Sequence, residues 1–489
     1  MRSWIRSMLM FVVCALGSVG AGVFAAQASD QAVVGVWQGA LDLGAMKLRI
    51  VFDIRAAQDG TLTGTLDSPD QRAFGIRLDE VRFNGPEVAI EVRSIGGSFS
   101  GNLSPDGKKI DGTWSQAGRQ FELDLERGEK IAPARRAQEP VPPLPYDVEE
   151  VSYENEKHGV RIAGTLTLPR TPAPHPAVLL ITGSGPQDRD ETLMGHKPFL
   201  VLADNLTRRG FAVLRVDDRG VGGSTGNAME STVEDYAEDV LSGIGFLRRR
   251  SDIDASRIGL IGHSEGGLVG SIAATRSRDI GFLVLIAAPG VRISELLGQQ
   301  LREISVKSGL SSNAIALQED LQKRVFEVVR KTPDREPALA QLETLWREAR
   351  SAAETLELTD TDRAFFRNSE GLAQANLRTM VTPWFRHLLD QDPAAALRGV
   401  QCPVLAILGE LDVQVPPERN REAIESALEI AQNRDVTVRV LNGLNHLMQT
   451  ARTGLPAEYA MIEETFAPAA LELIGDWLVA RAGARRHAG

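Results

Sequence analysis

The stretch IGLIGHSEGGLVG, residues 258–270, decides the fold because it joins an apolar strand to a helix of small residues through a very short turn. Gly262 and Gly266 flank Ser264 within this turn. Glycine neighbours let a serine adopt a strained backbone conformation that presents its hydroxyl above the edge of a sheet. The flanking strand and helix make this pattern more specific than the GxSxG spacing alone, so we predict a strand, a sharp turn with an exposed serine, and a helix.

Apolar strands and helical segments alternate on both sides of this stretch. We predict strands at residues 177–182, 211–216, 257–261, 282–287, 404–408 and 436–441, with helices between them, for example at 200–209 and 233–249. Such alternation is typical of an α/β fold, a doubly wound and largely parallel sheet with helices on both faces. Residues 291 to about 395 interrupt the pattern with apolar positions at helical spacing, which predicts a helical cap over the sheet edge.

The amino-terminal part has a different pattern, with short alternating strands and turn signals over residues 31–127 that predict a β-sandwich or barrel. Trp37 and Trp114 are interpreted as core residues, with a ligand platform as the alternative. Prolines interrupt regular structure in 128–147, which we interpret as a semi-rigid linker. We therefore place the main domain at residues 148–489.

The first 28 residues resemble an export signal. Arg2 and Arg6 precede an apolar stretch that ends at Ala26-Gln27-Ala28, so we predict a signal peptide cleaved after Ala28, with an uncleaved anchor as the alternative. The expected destination is periplasmic or secreted, without stable membrane insertion after cleavage. The 489 residues carry a net charge of -11, which offers no basic face for nucleic acid.

A serine hydroxyl becomes a nucleophile only with a base in reach and a third group that orients the base. His446 follows the last predicted strand in a glycine-containing loop, at the sheet edge where sites of this kind form. Asp412 lies in the loop after the preceding strand and is preferred over Glu410 as the orienting acid. His263 adjoins the serine, and we expect its side chain to point elsewhere.

Donors to a developing oxyanion are expected from two backbone N–H groups. One is that of Glu265, and the other is that of Ser184 in the glycine-rich loop 182–187, with Gly185 as the next candidate. The segment 217–226, DDRGVGGSTG, lacks the lysine of a phosphate-binding loop, so we interpret it as a structural loop with an internal Asp–Arg pair.

Together these motifs resemble the α/β-hydrolase superfamily, in its branch of two-domain bacterial carboxylesterases and serine-aminopeptidase-like or prolyl-oligopeptidase-like hydrolases. The resemblance covers about residues 148–485 and implies carboxylic ester substrates with short acyl chains. Thr182 departs from it, since many relatives have a histidine before the oxyanion glycine.

We therefore expect a serine carboxylesterase in which Ser264, Asp412 and His446 form the catalytic triad, acting on a small-molecule ester as a monomer or homodimer. No organic cofactor or metal is expected. A serine peptidase or aminopeptidase of the same fold is the alternative. A non-catalytic binding protein of the cell envelope is a further alternative. A missing triad residue would favour it, and none is missing.

Overall fold

A computed structural model describes residues 32–42, 47–57, 60–69, 73–92, 95–116, 119–129, 136–368 and 370–482. The predicted signal peptide lies outside the described residues, as does part of the predicted linker. In the described ranges, no helix combines the length and the apolar character needed to cross a membrane.

The amino-terminal region folds as one antiparallel sheet. Its strands are β1 (Gly35–Asp42), β2 (Lys47–Ala56), β3 (Leu62–Ser68), β4 (Ala73–Arg77), β5 (Glu80–Asn84), β6 (Glu87–Val92), β7 (Gly97–Leu103), β8 (Lys109–Gln116), β9 (Arg119–Glu122) and β10 (Leu125–Arg127). They run in the order β4-β3-β2-β1-β10-β8-β7-β6-β5, and β9 pairs with β8.

This sheet curls around a single aromatic core. The rings of Phe52 and Phe99 lie 5.7 Å apart between centroids, although three strands separate β2 from β7 in the sheet. Trp37 and Trp114 are fully buried beside them. Residues that distant within a flat sheet could not meet, so the sheet must close toward a barrel, and both tryptophans are core residues as predicted.

The chain between the two sheets docks on the carboxyl-terminal domain. The Arg136 guanidinium is buried and donates to the carbonyl oxygens of Gly195 and Ala460, both at 3.1 Å. Gln138 donates to the carbonyl of Phe466 at 2.7 Å and accepts from the N–H of Thr465 at 2.6 Å. The predicted linker is thus held against the domain that follows it.

A buried hydrogen-bond network continues from this docking site. His196 bonds through Nδ1 to the hydroxyl of Thr465 at 3.0 Å, and its Nε2 lies 3.0 Å from Nε2 of Gln449. Gln449 accepts from the side-chain amide of Asn445 at 2.9 Å. Since Asn445 directly precedes His446, the docked segment is linked through this network to the loop of the predicted base.

The second sheet is mixed. Its strands are β11 (Tyr146–Asn155), β12 (Val160–Pro169), β13 (His175–Ile181), β14 (Ala212–Val216), β15 (Ile253–His263), β16 (Leu283–Ile286), β17 (Val404–Gly409) and β18 (Val436–Leu441). The order is β11-β12-β14-β13-β15-β16-β17-β18. β11, β12 and β14 pair antiparallel, and all pairs from β14 to β18 are parallel. This confirms the predicted largely parallel sheet.

Helices cover the sheet and form the cap. They are α1 (Pro198–Arg208), α2 (Val233–Arg248), α3 (Glu265–Arg276), α4 (Ile293–Lys307), α5 (Ser312–Lys331), α6 (Arg335–Thr355), α7 (Asp360–Asn368), α8 (Glu370–Met380), α9 (Pro383–Leu389), α10 (Pro393–Leu397), α11 (Pro417–Ile430) and α12 (Pro468–Ala482). Helices α4 to α10 lie between β16 and β17, which confirms the predicted helical insertion. Cap residues Phe326 and Trp384 belong to the same apolar core as the sheet.

The strand order fixes where a site can form. From β13 the chain moves to β14 on one side, and then returns to β15 on the other side of β13. Loops that leave two neighbouring parallel strands in opposite directions open a crevice at their carboxyl ends. The loop after β13 and the turn after β15, both selected from the sequence, border this crevice.

Candidate active site

Ser264 occupies a strained turn between β15 and α3. Its φ of 53° and ψ of −121° lie outside the regions favoured by residues with a side chain, and such strain is typical of functional positions. The Ser264 N–H donates to the carbonyl of Ile286 at 2.8 Å, which anchors the turn to the neighbouring strand.

The two glycines of the turn are required by close packing. A Cβ on Gly262 would overlap the carbonyl of Gly266, and one on Gly266 would overlap the carbonyl of Ile181. The absence of side chains therefore lets the start of α3 lie directly against the end of β13. This contact brings the serine to the glycine-rich loop.

His446 and Asp412 form a buried pair in the loops after β18 and β17. His446 Nδ1 lies 2.8 Å from Asp412 Oδ2. Asp412 Oδ1 accepts the N–H groups of Gln414 and Val415, each at 2.8 Å. A carboxylate held in this way keeps the proton of a neutral imidazole on Nδ1 and leaves Nε2 as a proton acceptor.

The turn and the buried pair meet at one edge of the sheet. The ring of His446 lies 4.8 Å from the ring of His263, the residue before Ser264. Glu410, the alternative acid, instead accepts the N–H of Gly443 at 2.8 Å. The structure thus brings the loops of the three predicted triad residues together and gives Glu410 a separate role.

The glycine-rich loop lies next to Ser264. A Cβ built on Gly183 would stand 3.3 Å from the Ser264 Cβ, but the Gly183 N–H already donates to Glu191 Oε1 at 2.7 Å. Ser184 is the next residue that can supply a donor. Glu265 is the first residue of α3. The first N–H groups of a helix have no acceptor within the helix, so the N–H of Glu265 is available as a donor.

The DDRG segment braces this loop, and the predicted internal Asp–Arg pairing is wrong. Asp218 accepts the Thr182 hydroxyl and the Gln187 N–H, both at 2.8 Å, so Thr182 takes part in holding the loop. Asp217 pairs with Arg189 at 2.7 Å. Each acid turns to a neighbouring element because the segment is packed against the loop after β13.

The segment's arginine also pairs outside it. Arg219 forms an ion pair with Asp239 of α2 at 2.6 Å. Both side chains are buried, so this pair fixes the segment to the helix below it.

The side chain of Glu265 was not among the predicted site groups. It is buried, and its Oε1 accepts the indole N–H of Trp384 in α9 at 3.0 Å. Burial raises the pKa of Glu265 to about 7, against the lowering effect of Trp384 and Ser184. The sequence does contain a signal for this group, because Glu265 is a charged residue in a stretch of otherwise small and apolar residues.

A cavity lies behind the glycine-rich loop, lined by Gly183, Gly185, Tyr236 and Glu265. In the ranges that the structure describes, no group of three or more histidine, cysteine, aspartate or glutamate residues is arranged to hold a metal ion.

Comparison with known proteins assigns the fold to a family. The sequence profile of the Alpha/beta hydrolase family matches residues 178–455, more than half of the chain and all of the elements that carry the site. The chain belongs to this family. The chain is 29% identical over 318 residues to Esterase EstD of Thermotoga maritima.

That match spans 65% of this chain and 65% of the esterase, somewhat less than two thirds of the relative's length. Among solved structures, an esterase of Pyrococcus furiosus has a TM-score of 0.43 at 17% identity, covering 73% of this chain and 100% of the esterase chain. A proline iminopeptidase of Mycobacterium smegmatis has a TM-score of 0.42 at 17% identity, covering 68% and 99%.

Proposed function

We propose that this hydrolase is a serine carboxylesterase that cleaves short-to-medium acyl esters through an acyl-enzyme intermediate. The observation that carries the proposal is the buried pair of His446 and Asp412, 2.8 Å apart, at the edge where Ser264 holds a φ of 53°. A base of fixed tautomer beside a strained serine is the arrangement that acyl transfer requires. The similarity to an esterase from Thermotoga maritima supports the same substrate class.

In the first step, Ser264 Oγ attacks the ester carbonyl carbon while His446 Nε2 takes the hydroxyl proton. Asp412 stabilises the resulting imidazolium through its bond to Nδ1. The carbonyl oxygen becomes an oxyanion and accepts hydrogen bonds from the N–H groups of Glu265 and Ser184. His446 then protonates the leaving alcohol, and the acyl group remains on Ser264.

In the second step, water attacks the acyl-enzyme and His446 takes the proton of the water. Collapse of the second tetrahedral intermediate returns this proton to Ser264 Oγ and releases the carboxylic acid. Apart from the substrate and water, the proposed scheme uses protein groups alone. It yields one acid and one alcohol for each water consumed.

A peptidase acting on aminoacyl substrates is the second candidate, and the buried carboxyl of Glu265 favours it. This group adjoins Ser264, and a substrate ammonium beside it would hold it ionised despite a pKa of about 7. The same triad would then cleave an amide bond. The two candidates differ in whether activity depends on an amino group in the acyl part.

Nitrophenyl esters of increasing acyl length, assayed beside aminoacyl nitroanilides, separate the candidates. We expect the highest kcat/KM with acetyl to hexanoyl esters, and loss of all turnover in Ser264→Ala. Faster cleavage of the nitroanilides, lost in Glu265→Gln, would identify a peptidase instead. No turnover with either series would contradict both candidates.

We also propose that residues 1–28 direct export and are removed after Ala28, so that the mature protein is periplasmic or secreted. The mass of the protein recovered from a bacterial periplasm tests this. We expect an amino terminus at Ser29. Recovery of the full-length chain in the membrane fraction would contradict the proposal.

A further inference from the structure

A buried histidine–glutamate pair that the reaction scheme does not use lies beside Ser264. His263 ends β15, Glu191 lies in the loop between β13 and α1, and His263 Nδ1 is 2.9 Å from Glu191 Oε1. Their side chains are only 8% and 5% exposed. Glu191 has a φ of 53°, a left-handed conformation that a residue with a side chain adopts only when its surroundings enforce it.

The same carboxylate oxygen holds the glycine-rich loop. Glu191 Oε1 accepts the N–H of Gly183 at 2.7 Å, in addition to the bond from His263. Gly183 directly precedes Ser184, the expected oxyanion donor. One oxygen atom therefore ties the strand that ends at Ser264 to the loop that supplies the second donor.

The other side of His263 holds the loop of the base. His263 Nε2 lies 3.0 Å from the backbone carbonyl oxygen of His446, and the two rings are 4.8 Å apart. A carbonyl oxygen can only accept, so Nε2 must carry a proton. Nδ1 faces a carboxylate oxygen that also accepts the Gly183 N–H. Both ring nitrogens are thus placed to donate, which is the pattern of an imidazolium.

The charges around the ring agree with this protonation. Burial lowers the pKa of His263, but the carboxylate of Glu191, the carbonyl of His446 and the carboxylate of Asp412 raise it by more. The net pKa lies above the ordinary histidine value. An imidazolium paired with a carboxylate also avoids an isolated buried charge, which would be strongly unfavourable.

We propose that Glu191 and His263 are positioning residues for catalysis, a buried carboxylate–imidazolium pair that fixes the oxyanion loop and the base loop against Ser264. The proposal rests on the proposed function, because it assigns the pair to the triad of that reaction. Neither residue touches the reacting atoms. They act by holding Gly183 and the backbone of His446, and a shift of about 1 Å in such supports lowers catalytic rates by about 100-fold.

Glu191→Gln tests the pair with a change of charge at nearly constant size. Glutamine cannot balance an imidazolium, and a neutral His263 cannot donate from both nitrogens, so at least one of the three hydrogen bonds is lost. We expect kcat with acetyl ester to fall about 10- to 100-fold with KM within about threefold, the signature of a misplaced site rather than weaker substrate binding.

Asp190→Asn is the matched control, because the neighbouring carboxylate pairs with Arg215 instead. We expect this variant to keep the wild-type kcat per folded molecule. A folded Glu191→Gln protein with kcat within twofold of wild type would overturn the proposal, as would an equal loss in Asp190→Asn.

Nuclear magnetic resonance of the ¹⁵N-histidine-labelled wild-type protein gives a reading that does not depend on the folding of a variant. The chain has seven histidines, and through-bond correlations from each ring to its own backbone assign His263 without a variant. We expect both nitrogens of His263 to be protonated at pH 7. A single protonated nitrogen would overturn the proposal. If the wild-type enzyme fails to react with esters or a fluorophosphonate, the proposed function fails instead, while the protonation of His263 is still measured.

Discussion

The two sheets of this molecule differ most in the kind of side chain that each buries. The amino-terminal sheet encloses aromatic and aliphatic side chains around Trp37 and Phe52. The carboxyl-terminal sheet carries buried titratable groups at one edge, among them Asp412, His446 and Glu265. Burying such groups is unfavourable unless hydrogen bonds compensate. This edge is therefore where we place the chemistry. The amino-terminal sheet also buries two carboxylates, Asp53 and Asp67, but the sequence offers no histidine before His158 that could act as a base beside them.

The largest effect should follow from removing the charge of the buried acid. We expect Asp412→Asn to lower kcat by about 10³- to 10⁴-fold, because the amide no longer holds the proton of His446 on Nδ1. Steady-state hydrolysis of an acetyl ester measures this loss. Glu410→Gln is the control and should stay within about threefold of wild type. A larger loss in Glu410→Gln would mean that the wrong acid has been assigned.

Removing the amino-terminal sheet tests whether the proposed catalytic groups react without it. We expect a protein that starts at residue 136 to react with a fluorophosphonate within about threefold of the full-length rate, because the proposed catalytic groups lie in the second domain. A shortened protein that is folded by circular dichroism but unreactive would mean that the first sheet supplies part of the site.

A protein that starts at residue 148 tests whether the docked segment stabilises the second domain. It lacks Arg136 and Gln138 together with the first two residues of β11, including the hydroxyl of Tyr146 that donates to Asp204 at 2.8 Å. With each lost hydrogen bond contributing about 1 kcal/mol, we expect a melting temperature at least about 5 °C below that of the protein starting at 136. Equal melting temperatures would mean that the docked segment does not stabilise the domain.

The cap should control which acyl chains fit. Trp384→Phe removes the indole N–H that reaches Glu265, so we expect the ratio of octanoyl to acetyl kcat/KM to change about tenfold while acetyl hydrolysis stays within about threefold. Trp346→Phe is the control, since that cap tryptophan packs against Phe366. Equal changes for all chain lengths in Trp384→Phe would make the cap purely structural.

The smallest expected effect concerns the stability that Glu265 links to pH. Its folded pKa of about 7 lies above the ordinary value of 4.5, so its contribution is complete below about pH 4.5 and is lost as the pH rises through about 7. This loss is at most about 1.4 kcal/mol per pH unit. Glutamine does not ionise, and therefore Glu265→Gln should lose less stability than wild type between pH 5 and 8.

Urea unfolding at both pH values measures this difference, with Glu343→Gln on an exposed face of α6 as the control. We expect the control to follow wild type. If the stability of Glu265→Gln falls in parallel with that of wild type, Glu265 does not titrate in this range.

The positions of Ser264, Asp412 and His446 could be predicted because each lies in the turn or loop that follows a strand with a strong local apolar pattern. Parallel strands end at the same edge, so local signals were sufficient to place all three loops there. The strands β11 and β12 were not predicted. The edge position of β11 and residues such as Glu149 and Glu150 obscure its apolar alternation, and Gly164 and two threonines interrupt the apolar pattern of β12.

The pairs of residues that support the site could not be predicted, because their members lie far apart in the sequence. Glu191 and His263 are 72 residues apart, and Thr182 and Asp218 are 36 apart. Such contacts depend on how loops pack after the sheet has formed, and no periodicity marks them in one sequence. The docking of Arg136 on residues more than 300 positions later is of the same kind.

The central claim is that Ser264 alone forms the covalent intermediate. The most direct test is the intact mass of the full-length mature protein after reaction with a fluorophosphonate, followed by peptide mapping. We expect one adduct per chain, located on Ser264, and none in Ser264→Ala. An unmodified wild-type protein, or full modification of Ser264→Ala, would contradict it.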